Sequence, residues 1–482
     1  MARRKTSSSV TVARTLALAA VVLIAAVLLA GSRPRPVKTS EPSPSVVVIL
    51  ADDMRADDVR YLPKTRALIG AAGTTFSNSI VSTPLCCPSR STFLTGQYAH
   101  NHGVLANVAP HGGYAALDHE ETLAVWLQRA GYHTAHVGKY LNRYGIDSPP
   151  VAPPGWSHWF GLVDPTAYRM YGYKVSDDGD LVNYGSTPAD YQTDVLARQA
   201  EEVIRNQGGP LFLTVAPLAP HLENSDETGR GAPPRPAPRH QGQFASAPLP
   251  GGPSFNEADV RDKPPHIRAR RRLPPGQIAR TTAIHRGRLA SLLALDDLVE
   301  RVVKALEETG RLESTTVIFT SDNGFFLGEH RLEDGKFYPY EEAIRVPLLI
   351  RGPLFPAGHT ATQPVSNIDL APTIQELTRA SAGRVMDGRS LLPLAQDPAA
   401  GRDRALLVEG FGRNRNQVSY AAVRTGRWIY VEYVNGGREL YDLDADPRQL
   451  QSRHAARGLA GVRADLADQL ARLRDCAGES CR

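Results

Sequence analysis

Cys86-Cys87-Pro88-Ser89-Arg90, followed by Ser91-Thr92-Phe93-Leu94-Thr95-Gly96, sets a thiol, two turn-formers and a fixed cation in one short run. Adjacent cysteines are poorly disposed to bond each other, because a disulfide needs converging side chains. One of the pair is therefore a candidate reactive residue, and the alternative is a buried structural thiol pair. Far away in sequence, Asp52-Asp53 and Asp322-Asn323-Gly324 supply hard oxygen donors with no sulfur or imidazole among them. Such a set suits Ca²⁺ or Mg²⁺ rather than Zn²⁺. Taken singly, an Asp-Asp pair is a helix cap or turn, and Asp-Asn-Gly is a turn. Arg90, Lys139, His221 and Lys336 add separated cationic groups. A metal ringed by Lys and Arg makes a preorganised field for an anion, and His221 could protonate a departing oxygen. Alone, each of these is a surface charge or a satisfied polar histidine.

These groups need a frame that gathers them. Val46-Val47-Val48-Ile49-Leu50 is a continuous apolar, mostly β-branched run, as expected of a parallel strand buried on both faces, and it ends at Asp52-Asp53. Thr134 to Lys139 reads as a strand that delivers a lysine. Leu211 to Ala216 is a third strand, followed by His221, and Thr315 to Thr320 a fourth, ending at Asp322. Thr122 to Ala130 has helical spacing and stops at Gly131; Arg288 to Glu308 is a long amphipathic helix. The alternation predicts an α/β fold with its active groups at the strand C-terminal ends. Glu223 to Pro275 reads as a long surface excursion rich in Pro, Gly and Arg. Beyond residue 400, Tyr420–Val423, Trp428–Tyr433 and Glu439–Tyr441 predict a small antiparallel sheet, closed by a helix near Gly461–Leu473. The organisation expected is a catalytic domain over 46–400 and a small C-terminal subdomain over 401–482.

The 482 residues can bury a large core, and a net charge of +5 argues against a dedicated nucleic-acid binder. Arg268-Ala269-Arg270-Arg271-Arg272 reads as a solvated basic loop, with an anionic polymer as the alternative partner. Arg3, Arg4, Lys5 and Arg14 precede an apolar run from Leu16 to Ala30. That pattern predicts an export signal over 1–31, or an uncleaved anchor tethering the protein outside the membrane, then a Pro/Ser-rich linker over 32–45. In an exported protein, Cys476 and Cys481 read as a disulfide pinning the tail. Cys87 is left as a free thiol.

The run from Cys86 resembles the sulfatase signature C-x-P-S-R-x-x-x-L-T-G, in which the first cysteine is oxidised to formylglycine. Asp52-Asp53, Gly138-Lys139, Ala219-Pro220-His221, Ser321-Asp322-Asn323-Gly324 and Gly335-Lys336 follow the order seen in type I sulfatases. The resemblance spans roughly residues 45 to 480. It implies an alkaline-phosphatase-like fold: a mostly parallel central sheet flanked by helices, with a small C-terminal antiparallel sheet. It implies Ca²⁺ held by Asp52, Asp53, Asp322, Asn323 and the modified Cys86, with Mg²⁺ as the alternative ion. It implies a formylglycine-generating enzyme as the maturation partner. By the same resemblance, hydrated formylglycine would attack sulfur, the alcohol would leave, and the second hydroxyl would expel sulfate. Arg90 would orient the diol, Lys139 and Lys336 would hold sulfate oxygens, and His221 would be a sulfate ligand or the acid.

One departure stands out. Many sulfatases carry a histidine two places after the lysine, whereas Lys139 is followed by Tyr140, Leu141 and Asn142. That role is vacant or filled elsewhere, with substrate-binding His330 of Gly328-Glu329-His330 as the candidate. Gly138 to Asn142, Cys86 to Arg90 and His100-Asn101-His102 resemble N-acetylglucosamine-6-sulfatase and heparan 6-O-sulfatase. So do Gly155-Trp156-Ser157, Leu295 to Val299 and the Cys-x-x-x-x-Cys ending. The expected substrate is a sulfated sugar, with specificity carried by loops His100–Gly113 and Gly155–Thr193. Aryl or choline sulfates, a phosphate or phosphonate ester, or a glycan-binding protein with a dead site are the alternatives.

Overall fold

The computed structural model describes Met1 and residues 44–224, 231–412 and 417–482. The expected export segment 1–31, and the Pro/Ser-rich stretch as far as residue 43, lie outside the described residues. No helix among the described residues is long and apolar enough to cross a membrane.

Four strands carry the groups singled out above: β1 (Ser45–Ala51), β2 (His133–Gly138), β3 (Leu211–Ala216) and β4 (Thr315–Ser321). They lie side by side and parallel in the order β4-β1-β3-β2, at the heart of a ten-stranded sheet. His158–Val163 extends this parallel core beyond β2. Antiparallel Leu348–Arg351 flanks β4, and the antiparallel hairpin Lys174–Asp177 and Asp180–Asn183 lies at the far edge. The apolar run of β1 makes sense in this position. Val46 and Val48 enter the hydrophobic cluster on one face, while Val47, Ile49 and Ala51 enter the cluster on the other. A strand flooded with apolar side chains on both sides is what a doubly covered parallel sheet requires.

Helix α1 (Cys86–Thr95) is buried along its whole length and ends at Gly96, whose φ of 67° suits a left-handed C-cap. Helix α2 (Pro275–Glu308) begins at Pro275 rather than near Arg288, because proline is well suited to a first helical turn. The preceding stretch is irregular, as expected, yet it is not a free surface loop: Ser254, Asn256, Glu257, Lys263 and Ile267 are all buried. Arg268, Arg271 and Arg272 of its basic run are exposed.

The C-terminal sheet has four antiparallel strands rather than three. Leu406–Gly410 pairs with Tyr420–Arg424, then come Trp428–Tyr433 and Arg438–Asp442. The additional strand holds only three consecutive apolar residues, Leu406-Leu407-Val408, too short a run to tell strand from helix by local pattern. Helix α3 (Ala460–Arg474) covers this sheet through Leu466, Leu470 and Leu473. Cys476 and Cys481 are disulfide-bonded.

Candidate active site

Parallel register decides what meets at the sheet's C-terminal edge. Ala51 pairs with Ser321, so Asp52-Asp53 and Asp322-Asn323 emerge together from β1 and β4. Gly138 pairs with Ala216, so Lys139 emerges beside the segment leading to His221. A Cβ at Gly138 would lie 2.2 Å from the Ala216 carbonyl oxygen, and its φ is +122°. Only glycine permits that approach, which lets the Lys139 N–H donate to Ala216 at 2.8 Å. Asp53 adopts a φ of 66°, a strained conformation for a residue with a side chain.

Cys86 occupies the first turn of α1, and its Sγ sits 3.7 Å from Asp52 Oδ1, 3.9 Å from Asp53 Oδ1 and 3.2 Å from Lys336 Nζ. Lys139 Nζ donates to Asp52 Oδ2, and Lys336 Nζ to Asp53 Oδ1. Arg90, one turn along α1, is fixed by Nε to Asp322 Oδ2 at 2.8 Å and by Nη1 to the Lys139 carbonyl at 2.6 Å. Asp322 Oδ1 accepts the Asp53 N–H at 3.0 Å, and Asn323 Nδ2 donates to Asp53 Oδ1 at 2.7 Å. His221 faces Asp53 Oδ2 with Nε2 at 3.4 Å while its Nδ1 meets the Leu222 carbonyl at 2.8 Å. That second contact places the Nδ1 proton and turns the Nε2 lone pair toward the acidic pair.

Burial pushes the Asp52 carboxyl up, but Lys139, His221 and Arg90 outweigh it and hold it down at about 2. Asp53 is likewise lowered: Lys336 and His221 overcome its burial. Burial, opposed by the two lysines and reinforced by Asp52 and Asp322, pushes the Cys86 thiol up to about 12. Burial thus opposes ionisation of an unmodified Cys86 thiol.

The donor chemistry fits a hard cation. Asp53 Oδ2 and Asn323 Oδ1 are buried acceptors without a hydrogen-bond donor among the described residues, an arrangement that costs free energy unless another group engages them. Donor atoms of Asp52, Asp53, Cys86 and His221 all lie within 4.8 Å of one another. This compact group includes His221, which the sequence assigned to the substrate or to acid catalysis rather than to the metal, and does not include Asp322.

Of the sequence-predicted residues, Cys86, Arg90, Lys139, His221, Lys336, Asp52, Asp53, Asp322 and Asn323 come together. His330 does not. It is fully buried, its Nδ1 is 2.7 Å from Glu257 Oε2, its Nε2 is 3.8 Å from Glu342 Oε2, and its ring stacks on Tyr340. No face of that ring is left for a sugar, so the substrate-binding role expected of His330 is withdrawn. The reason is burial among acidic partners, and its neighbour Glu329 is likewise turned inward, to Arg55 at 2.7 Å. Nor does His100 line the pocket: its ring nitrogens lie 3.0 Å from Glu409 Oε2 and from the Cys476 carbonyl.

Sequence reasoning missed Arg288, which steadies the turn after β1 by donating to the Asp53 carbonyl at 2.7 Å. It also missed Ser89 and Asn367. Ser89 Oγ donates to the Asp322 carbonyl and accepts from Asn367 Nδ2 at 2.9 Å. Ser89 was visible within the signature, whereas nothing in the sequence near Arg288 or Asn367 pointed to the site.

Residues 44–380 match the family described as sulfatase, and residues 328–476 match the C-terminal region of N-sulphoglucosamine sulphohydrolase. The chain is 36% identical to an arylsulfatase of Volvox carteri, over 95% of this chain and 79% of that protein. It is 33% identical to N-acetylglucosamine-6-sulfatase of Homo sapiens, over 91% of this chain and 86% of that protein. Among solved structures, one described as a complex with its substrate D-glucosamine-2-N,6-O-disulfate aligns with TM-score 0.74 at 24% identity, covering 90% of this chain and 97% of the other. A phosphonate monoester hydrolase of Agrobacterium radiobacter aligns with TM-score 0.66 at 24% identity, covering 89% and 95%. At these identities the structural likenesses speak for the fold alone. Sequence family, relatives and strand-end chemistry converge: the chain belongs to the sulfatase family and is a sulfuric ester hydrolase.

Proposed function

We propose that this protein hydrolyses a sulfate ester on a sulfated sugar of the glucosamine 6-sulfate type, with Cys86 converted to formylglycine and a Ca²⁺ or Mg²⁺ ion at Asp52, Asp53 and Asn323. The observation that carries this reading is the placement of Cys86: first turn of α1, between two acidic strand ends, with Lys336 Nζ at 3.2 Å. Hydrated formylglycine supplies one hydroxyl to attack sulfur and a second to release sulfate, and the cation supplies positive charge against the anion.

The chain's own residues then have distinct tasks. Arg90 is locked by Asp322 and the Lys139 carbonyl, so it orients residue 86 rather than following the substrate. Lys139 pairs with Asp52 and Lys336 with Asp53, and their ammonium groups would meet the sulfate oxygens. His221 faces Asp53 with Nε2 at 3.4 Å, where it would help hold the cation or contact sulfate oxygens. Asp322 sits behind these groups and fixes both the Asp53 backbone and Arg90.

The glucosamine-type substrate rests on the N-acetylglucosamine-6-sulfatase relatives and on the disulfated glucosamine named for the structural neighbour. Maturation requires a formylglycine-generating enzyme. The basic and apolar N-terminus supports export, with the mature protein released or tethered at the outer membrane face. A second reading, phosphonate or phosphate monoester hydrolysis, is favoured only by the shared fold of the Agrobacterium enzyme.

The test is expression with a formylglycine-generating enzyme, mass spectrometry of the Cys86 peptide, and assay of sulfate release from N-acetylglucosamine 6-sulfate against phenylphosphonate. The expected result is aldehyde at position 86 and sulfate release. Preferential phosphonate cleavage by the aldehyde form would favour the second reading, and full activity with intact cysteine would overturn the first.

A further inference from the structure

A residue from a different loop packs against both Lys139 and His221. The Tyr168 ring centroid lies 4.7 Å from Lys139 Nζ and 5.1 Å from the His221 ring. The Lys139 ammonium is therefore held between the Asp52 carboxylate and an aromatic face. An ammonium has three N–H donors, and a π face attracts it without consuming any of them in a conventional hydrogen bond. With one donor given to Asp52, two stay available for an anion.

Tyr168 is itself locked. Its hydroxyl oxygen accepts a hydrogen bond from Asn142 Nδ2 at 2.6 Å, and Asn142 is the last residue of the same Gly-Lys-Tyr-Leu-Asn run. Among the described residues Asn142 Oδ1 is buried with no hydrogen-bond partner, so the tyrosine contact is what orients this amide. The Tyr168 carbonyl accepts the Asn224 N–H at 2.6 Å. Buried Gln192 donates to the Ala167 and Arg169 carbonyls at 3.0 and 2.8 Å and accepts the Leu218 N–H at 3.2 Å. Buried Glu223 accepts the Met170 N–H at 2.8 Å. The turn bearing Tyr168 is thus stitched to the segment bearing His221.

We propose that Tyr168, locked by Asn142, is the positioning residue for Lys139 and His221. The inference rests on the sulfatase reading of the pocket. Lys139 is a long, flexible side chain whose ammonium must be in place before the anion arrives, and the ring limits its freedom at no cost in donors. Tyr168→Phe keeps the ring and removes the lock. Tyr168→Leu removes both.

The experiment uses the formylglycine-containing enzyme with N-acetylglucosamine 6-sulfate as substrate and inorganic sulfate as a binding probe, read by calorimetry. Tyr168→Leu should lower kcat/KM about 100-fold and weaken sulfate binding about tenfold, with melting temperature within a few degrees of wild type. Tyr168→Phe and Asn142→Ala should each lower kcat/KM about fivefold, and the double variant should be no worse than either single one. Purely structural support would lower the melting temperature and leave sulfate affinity unmoved. Wild-type kcat/KM and sulfate affinity in Tyr168→Leu would overturn the positioning role, and additive losses in the double variant would overturn the lock. A wild-type enzyme that neither binds sulfate nor releases it would instead bring down the sulfatase reading of the pocket, and the proposal with it.

Discussion

Two fully buried carboxylates are treated in opposite ways by this fold. Glu439, in the C-terminal sheet, accepts hydrogen bonds from Tyr340 and Tyr441 on Oε1 at 2.9 and 2.5 Å, and from Tyr433 on Oε2 at 2.6 Å. Burial and the adjacent carboxylate push all three phenols well up, so they remain protonated donors. Asp53, at the end of β1, sits on a strained backbone, and its Oδ2 finds no hydrogen-bond donor. The first carboxylate is finished by the fold and joins the small sheet to the catalytic body. The second is left incomplete, which a protein tolerates where a ligand is to be engaged.

The sharpest way to break this contrast is at the centre of the unfinished site. Cys86→Ala should lower turnover by about 10⁴-fold or more without unfolding the chain, because it deletes the reacting group and leaves the surrounding pairs intact. Thermal unfolding alongside sulfate release checks it, and substantial residual activity would remove Cys86 from its role. Next in size is Asp53→Asn, which preserves shape and removes one negative charge. It should lower kcat/KM about 10² to 10³-fold and abolish the melting-temperature rise that Ca²⁺ gives the wild type. Without added cation its stability should fall below wild type, because the Lys336 ammonium loses the carboxylate that pairs with it in the buried site. Full activity of the wild type after exhaustive chelation would count against the metal.

Glu439→Gln is the mirror experiment. It exchanges a complete acceptor for an amide whose NH₂ must face a tyrosine hydroxyl, and should cost about 1–3 kcal/mol of stability. Turnover per folded molecule should be unchanged. Denaturant unfolding with active-site titration separates the two effects, and a loss of activity at unchanged stability would erase the distinction drawn between the two carboxylates.

Much of the functional edge was legible in the sequence because it is made of strand ends. An apolar β-branched run followed by Asp-Asp, Lys or Asp-Asn fixes which residues emerge, and parallel pairing then aligns them. The peripheral strands were not legible. Thr74–Phe76 and His359–Ala361 are three residues each and owe their conformation to their neighbours rather than to local pattern. His330 failed for a related reason. A histidine beside a glutamate, on a loop rich in glycine, reads alike whether it turns to the pocket or to Glu257, and only tertiary packing decides. Tyr168 was hidden in the same way, being brought to Lys139 by Gln192 and Glu223 from outside its own loop.

The smallest effect lies on the finished side of the comparison, where His100 joins the catalytic body to the tail. Its Nδ1 faces Glu409 Oε2 and its Nε2 faces the Cys476 carbonyl, so both ring nitrogens have acceptors and only the imidazolium satisfies both. Burial pulls its pKa down, but Glu409 and the Cys476 carbonyl raise it from 6.5 to about 9. A folded-state pKa above the unfolded one means that the charged form stabilises the native state. That contribution is fully present below pH 6.5 and is lost as the pH rises through about 9. His100 retains some solvent exposure, which screens the pair, so the melting temperature should fall by about 1–2 °C across this window on this account. His100→Gln should flatten the slope between pH 6.5 and 9 and leave the activity of the folded enzyme in place. An unchanged slope in that variant would mean that the seam between body and tail is held by neutral contacts alone.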